Sequence, residues 1–359
     1  MTISRSTFIK GASFSALAGL LAACSTGTGT GTGTTSSTTN SSASAEAGAF
    51  PVTITSDYGD TVIKQAPTKI AVVNAWKNAD VLLALGVIPA GIPKVSWGQN
   101  SNDSTDWFDA KLKEMGKSLN DITRYAEADG PAYQELAKLG PDVIFAPYGN
   151  MSAEIFKKLS DIAPVVTAPK GVGMFEVSWQ QVAEQAGKML GTPTAATKLV
   201  EETTAQLKET TSKYTNLAGA SFIAGYFDVE KKTLGAYTAQ DSRPQTFTDW
   251  GMVEAPYVTE HSKEARSVFL SISSEVLDQV ECDVLWAWVN DEADIEKIKS
   301  DSLFAALPAL KHNAAVFESN KHVGLALSAA SPLSLTWVVK NSSILKNFST
   351  AIRNSKEAK

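Results

Sequence analysis

Trp76, Tyr148, Tyr226 and Trp288 each follow a short apolar run of strand composition. In an open parallel sheet that place lies beyond the carboxyl end of a strand, where ligands bind. Arg124, Tyr125, Tyr237 and Arg243 sit in polar stretches nearby in sequence and add cations and rings. Flat aromatic faces with a few guanidinium groups suit a bulky ligand with an aromatic or amide periphery, held by stacking and charge-assisted hydrogen bonds. This set is equipped to bind, and no reacting group can be named in it. The chain has no Gly-x-Ser-x-Gly elbow, no phosphate loop and no His-Glu-x-x-His. His261, His312 and His322 are scattered without ligand spacing, so a metal ion would have to arrive already wrapped in an organic chelator.

Such side chains need sheets to hold them, and the sequence offers two similar ones. Residues 134–146 (QELAKLGPDVIFA) align without a gap on residues 275–287 (EVLDQVECDVLWA). Each copy is a short amphipathic helix, a turn and an apolar strand, which is one αβ unit of a parallel sheet. Two copies at long separation argue for two similar lobes and against a solenoid. Between them, Trp179, Val182, Ala183, Ala186, Met189 and Leu190 recur at helical spacing, with Ser178 as N-cap and Gly191 just past the end. Thr192 and Pro193 then open a second long helix. The expected class is α/β: two Rossmann-like lobes with mainly parallel sheets, over residues 49–176 and 192–359, joined by one interlobe helix at 177–191.

Within the first lobe, Val52 to Lys64 reads as a hairpin, Lys69 to Val73 as a buried strand and Asn78 to Leu85 as a helix. The stretch holding Trp97, Trp107, Arg124 and Tyr125 reads as a long irregular region, a frequent place for function. In the second lobe Ser221 to Phe227 is a strand, Leu234 to Arg243 a polar loop, Thr246 to Trp250 a short helix, Asp294 to Leu310 helical and Ala314 to Phe317 a strand. Ser331-Pro332 caps a last helix carrying Trp337, Leu345 and Phe348.

The N-terminus is an address. Arg5 and Lys10 precede an apolar stretch too short to span a membrane, ending Leu21-Ala22-Ala23-Cys24. That ending resembles a bacterial lipobox, which implies a signal peptide over 1–23 and a diacylated Cys24. Ser6 stands where a twin-arginine signal has its second arginine, which favours the general secretory route. Residues 24–48 form a Gly/Thr/Ser tether that buries nothing, with a root-mean-square reach of roughly 25–30 Å. Loss of 1–23 takes the formal charge from −6 to −8, against a nucleic-acid partner. With Cys24 lipidated, Cys282 at a strand entrance is a small core residue.

Several motifs together resemble the iron-siderophore substrate-binding lipoproteins of bacterial ABC importers: residues 67–72 (PTKIAV), 83–87 (LALGV), 139–144 (LGPDVI), 159–166 (LSDIAPVV) and 331–335 (SPLSL). The resemblance covers about residues 50 to 350 and implies two lobes on a rigid helix with little hinge motion. It further implies a ferric siderophore in the cleft and no enzymatic chemistry or resident cofactor. A monomer lipid-anchored to the outer face of the cytoplasmic membrane would then serve an ABC permease and its ATPase subunits. The family carries an acid near the tip of each lobe for docking to the permease. Glu275 fits in the second lobe; the aligned first-lobe residue is Gln134, with Glu135 adjacent but turned by about 100°. Haem or cobalamin binding by the same fold, and an exported two-lobed enzyme, are the alternatives.

Overall fold

The computed structural model describes residues 44–358 apart from residues 174 and 264–266. The signal segment, Cys24 and most of the tether lie outside the described residues. A hairpin of β1 (Val52–Ser56) and β2 (Gly59–Ile63) leads into a five-stranded sheet. Its strands are β3 (Ile70–Val72), β4 (Gly91–Pro93), β5 (Thr123–Tyr125), β6 (Val143–Ala146) and β7 (Val165–Thr167). All run parallel in the order β5-β4-β3-β6-β7. Strands β3, β6 and β7 are buried throughout, as an unbroken apolar run requires when helices cover both faces. The connecting helices are α1 (Lys77–Ala84), α2 (Asp106–Glu114), α3 (Tyr133–Leu139) and α4 (Ala153–Ser160). Helix α2 lies in the stretch expected to be irregular, where the Thr105 side chain accepts the Phe108 N–H at 3.3 Å and starts it.

The connector α5 spans Trp179–Leu190. Ser178 and Gln181 form a reciprocal capping box at its start, and Gly191 closes it in the left-handed conformation at φ 69°. It packs against α1, β1 and α6 (Pro193–Thr211). Thr192 does not cap α6 with its side chain. Glu46 takes that role: its carboxylate accepts the Thr194 N–H at 2.8 Å, while its own N–H donates to Gly191 O at 2.8 Å. The last residues of the expected tether are thus pinned to the α5–α6 junction.

The second sheet comprises β8 (Ser221–Asp228), β9 (Thr233–Tyr237), β10 (Val253–Glu254), β11 (Phe269–Ser273), β12 (Val284–Trp288) and β13 (Ala315–Glu318). Strand β8 is central, parallel to β12 and β10 and antiparallel to β9; β11 extends the β9 edge and β13 the β12 edge. Helices α7 (Ser242–Asp249), α8 (Pro256–Ser262), α9 (Glu292–Ser300), α10 (Pro308–Lys311), α11 (Lys321–Ala329), α12 (Pro332–Asn341) and α13 (Ile344–Ala358) surround it. Three expectations change here. Residues 233–237 are a strand, because Leu234 and Ala236 bury against β8. The expected helix over 294–310 ends at Ser300, where Asp301 turns extended and its carboxylate accepts the Leu303 N–H, and Pro308 opens a separate short helix. The last helix is two, divided at Ser342 and Ser343.

The repeat is visible in the contacts. Asp142 accepts the N–H of Thr68, the Thr68 hydroxyl and the N–H of Lys69, all within 2.8 Å, tying β6 to β3. The aligned Asp283 accepts the N–H and hydroxyl of Ser221, tying β12 to β8. The helical half of the repeat diverges, since residues 274–279 form a 3-10 turn where the first copy has α3. Cys282 is buried.

Candidate functional site

The two sheets bring their strand ends together at one cleft. On the first-lobe side the chain leaves β3 through Asn74 and Trp76, both with positive φ (60° and 77°), a conformation that needs outside support. Asn78, wholly buried, gives it: its amide donates to the carbonyls of Val73, Asn74 and Tyr148 and accepts the Tyr148 N–H at 3.0 Å. Gly149 has φ +116°, and the Asn74 side chain fills the place a Cβ would take, 2.4 Å away. One side chain thus fixes both strand-end loops and sets Trp76 and Tyr148 with ring centroids 6.4 Å apart.

On the second-lobe side, β9 delivers Tyr237 and the following turn opens α7. Asp241 caps α7 through the Arg243 N–H and grips the guanidinium with two hydrogen bonds of 2.7 Å, from Nε and Nη2. The guanidinium lies 3.4 Å over the Tyr237 ring. Burial opposes the Arg243 charge, but the Asp241 carboxylate more than offsets it and its pKa is raised. Trp288, at the end of β12, meets Trp97 of the first lobe edge-on at 5.1 Å. Gly324 is required beneath them, since an added Cβ would lie 2.7 Å from the Trp288 ring.

These groups enclose a cavity of about 260 Å³ lined by Trp76, Trp97, Tyr148, Tyr237, Arg243 and Trp288, with Asp241 and Trp286. A larger chamber of about 510 Å³ on the first-lobe side shares Trp76 and Tyr148. A third of about 450 Å³, on the second-lobe side, shares Trp288 and takes in Tyr226. Behind the floor, Lys77 is fully buried, donating to Val177 O at 3.0 Å and Ser242 Oγ at 2.9 Å beneath the Tyr148 ring. Burial lowers its pKa to about 7, against the pull of Asp241. Tyr148 is pushed up to about 12, by burial first and then by Asp241.

Of the residues expected in the cleft, Trp76, Tyr148, Tyr237, Arg243 and Trp288 converge on one cavity and Tyr226 lines its neighbour. Arg124 does not join them. Its guanidinium donates to the carbonyls of Asn102 at 2.6 Å and of Asp103, holding the loop before α2. Tyr125 is buried in the first-lobe core with its hydroxyl on Val72 O, because β5 turns it inward. Glu135 and Glu275 are exposed on α3 and on the 3-10 turn before β12. Asn78, Lys77 and Asp241 were not anticipated, and Trp97 was named only within the stretch read as a frequent place for function. Only Asp241 had a sequence signal, an acid two residues before an arginine at a helix start. Among the described residues no three His, Cys, Asp or Glu side chains converge as a metal site, and no helix is long and apolar enough to cross a membrane.

Two sheets of parallel character joined through a single connector helix, with an aromatic cleft at their strand ends, define a binding protein of the two-lobed class. Residues 70–318 match the periplasmic binding protein family model, and the chain belongs to that family. Among solved structures it is similar to PiaA of Streptococcus pneumoniae TIGR4 in complex with ferrichrome, at 25% identity and TM-score 0.76, covering 84% of this chain and 99% of that one. Staphylococcus aureus SirA complexed with staphyloferrin B (19%, TM-score 0.64, 82% and 98% covered) shares the fold. So does FhuD2 from Staphylococcus aureus with bound ferrioxamine B (17%, TM-score 0.57, 80% and 100%). No curated protein sequence matches.

Proposed function

We propose that this protein is the extracytoplasmic receptor of an ABC importer and binds a ferric siderophore in its interlobe cleft, and that the chelate is of the neutral hydroxamate kind. The observation that carries the reading is the cavity between the lobes, aromatic on both sides, whose lining arginine is already neutralised by Asp241. Three hydroxamates balance the charge of ferric iron, whereas three catecholates leave a large negative charge that burial would penalise without unpaired cations. Lys94 is paired with Asp103, Arg124 faces loop carbonyls, and Lys77 is turned to Val177 and Ser242. PiaA, similar at 25% identity and bound to ferrichrome, supports the same choice.

In this reading the iron keeps the coordination sphere of its siderophore. Trp76, Tyr148, Tyr237, Trp97 and Trp288 contact the periphery, and the Arg243 N–H groups not used by Asp241 donate to chelating oxygens. The protein releases its ligand unchanged. Cys24 anchors it by lipid to the outer face of the cytoplasmic membrane, and Glu275, with Glu135 on the other lobe, meets the permease. Titration of tryptophan fluorescence with ferric hydroxamates, ferric catecholates, ferric carboxylates, haem and cobalamin tests the assignment. Saturable quenching by a ferric hydroxamate is expected. Saturable binding of haem or cobalamin with no response to any ferric siderophore would overturn it.

A further inference from the structure

The first-lobe chamber holds a feature that the chelate-binding cavity does not explain. Glu127, just past β5, is part of its wall with Asn74, Lys94, Asp103, Asn150 and Phe175. One carboxylate oxygen of Glu127 accepts the Asn74 N–H at 2.9 Å, which supports the positive-φ turn carrying Trp76. The other, Oε1, is shielded from water, and no described group reaches it with hydrogen-bond geometry, although the Ala132 N–H lends a weaker pull. No described cation lies within ion-pair distance of Glu127: Lys94 is committed to Asp103 at 3.4 Å, and Arg124 to the carbonyls of Asn102 and Asp103. A half-buried carboxylate on a chamber wall with no cation beside it is costly to keep ionised, and the complement that relieves it is a cationic hydrogen-bond donor.

Resting on the ferric-hydroxamate reading, we infer that the first-lobe chamber receives an arm of the chelate that ends in a primary ammonium, and that Glu127 is the residue that selects it. The chamber adjoins the chelate cavity along Trp76 and Tyr148, so a linear chelate seated between the lobes can extend an arm past those two rings. Phe175, 44% exposed and edge-on to Tyr148 at 5.8 Å, flanks the chamber and can cover the methylenes of the arm. The acid then reads the one feature that distinguishes amine-tailed linear hydroxamates from cyclic or acylated ones.

The test compares ferrioxamine B with its N-acetyl derivative, which has the same iron centre and a neutral arm. Affinities are measured by fluorescence titration of the whole protein at pH 8, where Glu127, pushed up to about 7 by burial, is ionised. Wild type should prefer the ammonium form by at least tenfold. Glu127→Gln keeps an oxygen for the Asn74 N–H and loses the charge, so the preference should fall below twofold while the N-acetyl form binds as before. Equal wild-type affinities, a comparison that needs no variant, would overturn the inference. So would a Glu127→Gln protein that weakens both chelates equally, since that marks a purely structural acid. If neither chelate binds but haem or cobalamin does, the hydroxamate reading itself fails and takes this inference with it. Tight, equal binding of both chelates removes the inference alone.

Discussion

The two lobes build their sides of the cleft by different means. In the first, parallel strands end in tight turns with two non-glycine residues at positive φ, Asn74 and Trp76; the Asn74 N–H donates to Glu127 and the Asn74 carbonyl accepts from Asn78. In the second, an antiparallel strand, β9, and the cap of α7 bring a finished ion pair, Asp241–Arg243, against Tyr237. Towards the chelate core, the first side therefore works through backbone conformation and the second through charge, the Glu127 charge acting on the arm alone. Disturbing them should have different signatures, a loss of stability together with binding on one side and a loss of binding alone on the other.

The largest effect on binding should come from the charged side. Arg243→Ala removes the donors that face the ligand and leaves the Asp241 carboxylate, still partly in contact with water, to repel the chelating oxygens, so affinity should fall by about 2–4 kcal/mol, roughly thirty- to thousandfold. The companion Asp241→Asn leaves the guanidinium charge uncompensated and should shift preference towards anionic ferric catecholates. A titration of both variants against a hydroxamate and a catecholate complex decides this. Unchanged hydroxamate affinity in Arg243→Ala would remove the charged side from the site.

On the other side, Asn78→Ala deletes an amide that makes four hydrogen bonds in a dry place. Unfolding free energy should drop by about 2–3 kcal/mol, and ligand affinity should fall with it as Trp76 and Tyr148 lose register. Chemical denaturation with and without ligand separates the two losses. Normal stability with weakened binding would erase the contrast between the lobes. Trp288→Ala removes the ring that meets Trp97 across the cleft and should weaken binding by about 1–2 kcal/mol while the fold stands.

A pH measurement reaches the floor that both sides share. Asp80, on α1, accepts from Trp107 Nε1 at 2.7 Å and from the Ser331 hydroxyl, which belongs to the other lobe. Burial raises its pKa to about 7, against the pull of those two donors. The folded protein then holds a proton that the unfolded chain releases, so stability should decline as pH rises from about 4 to 7, with a slope approaching about 1.4 kcal/mol per unit. Lys77, lowered to about 7, acts in the next window: the folded form binds fewer protons, so stability should rise with pH between about 7 and 10.5. Glu127, also raised to about 7 by burial, acts in the same window, so Asp80→Asn should reduce the first slope to the part Glu127 contributes and leave the second, as read by denaturant midpoints across pH.

Much of this plan was legible beforehand, and the rest failed for identifiable reasons. The repeat was readable because Asp142 and Asp283 do the same work, clamping the first strand of their lobes, and a clamp fixes spacing. The connector was readable because its caps and apolar stripe are local. Trp76, Tyr148 and Trp288 could be placed at the cleft because each follows the carboxyl end of a strand, where such sheets open. Asn78 and Lys77 could not, since nothing in a helix's first turn tells which side chain will bridge to a loop seventy or more residues away. Strand β9 was missed because a five-residue strand with Gly235 and Tyr237 has the composition of a loop. The cleft role expected of Arg124 shows the same limit: an arginine beside a ligand and an arginine beside a carbonyl-rich loop look alike until the loop is folded.

Arg124 therefore supplies the smallest predicted effect on binding and a sharp test of the contrast. Its guanidinium is half-buried, donating to two consecutive carbonyls of the loop before α2, with Nε lacking a partner among the described residues. Removing it should loosen that loop, costing about 1–2 kcal/mol in unfolding free energy through carbonyls left without their charged donor. The ligand should notice little, less than threefold in affinity, because the aromatic walls and the Asp241–Arg243 pair do not depend on this loop for position. Trp97, which reaches Trp288 from the neighbouring turn, is the route by which a larger effect could travel. A tenfold or greater loss in Arg124→Ala, with Arg243→Ala no worse, would mean that the first lobe also holds the iron-chelate core through charge, and the division between a conformational side and a charged side of that core would have to be abandoned.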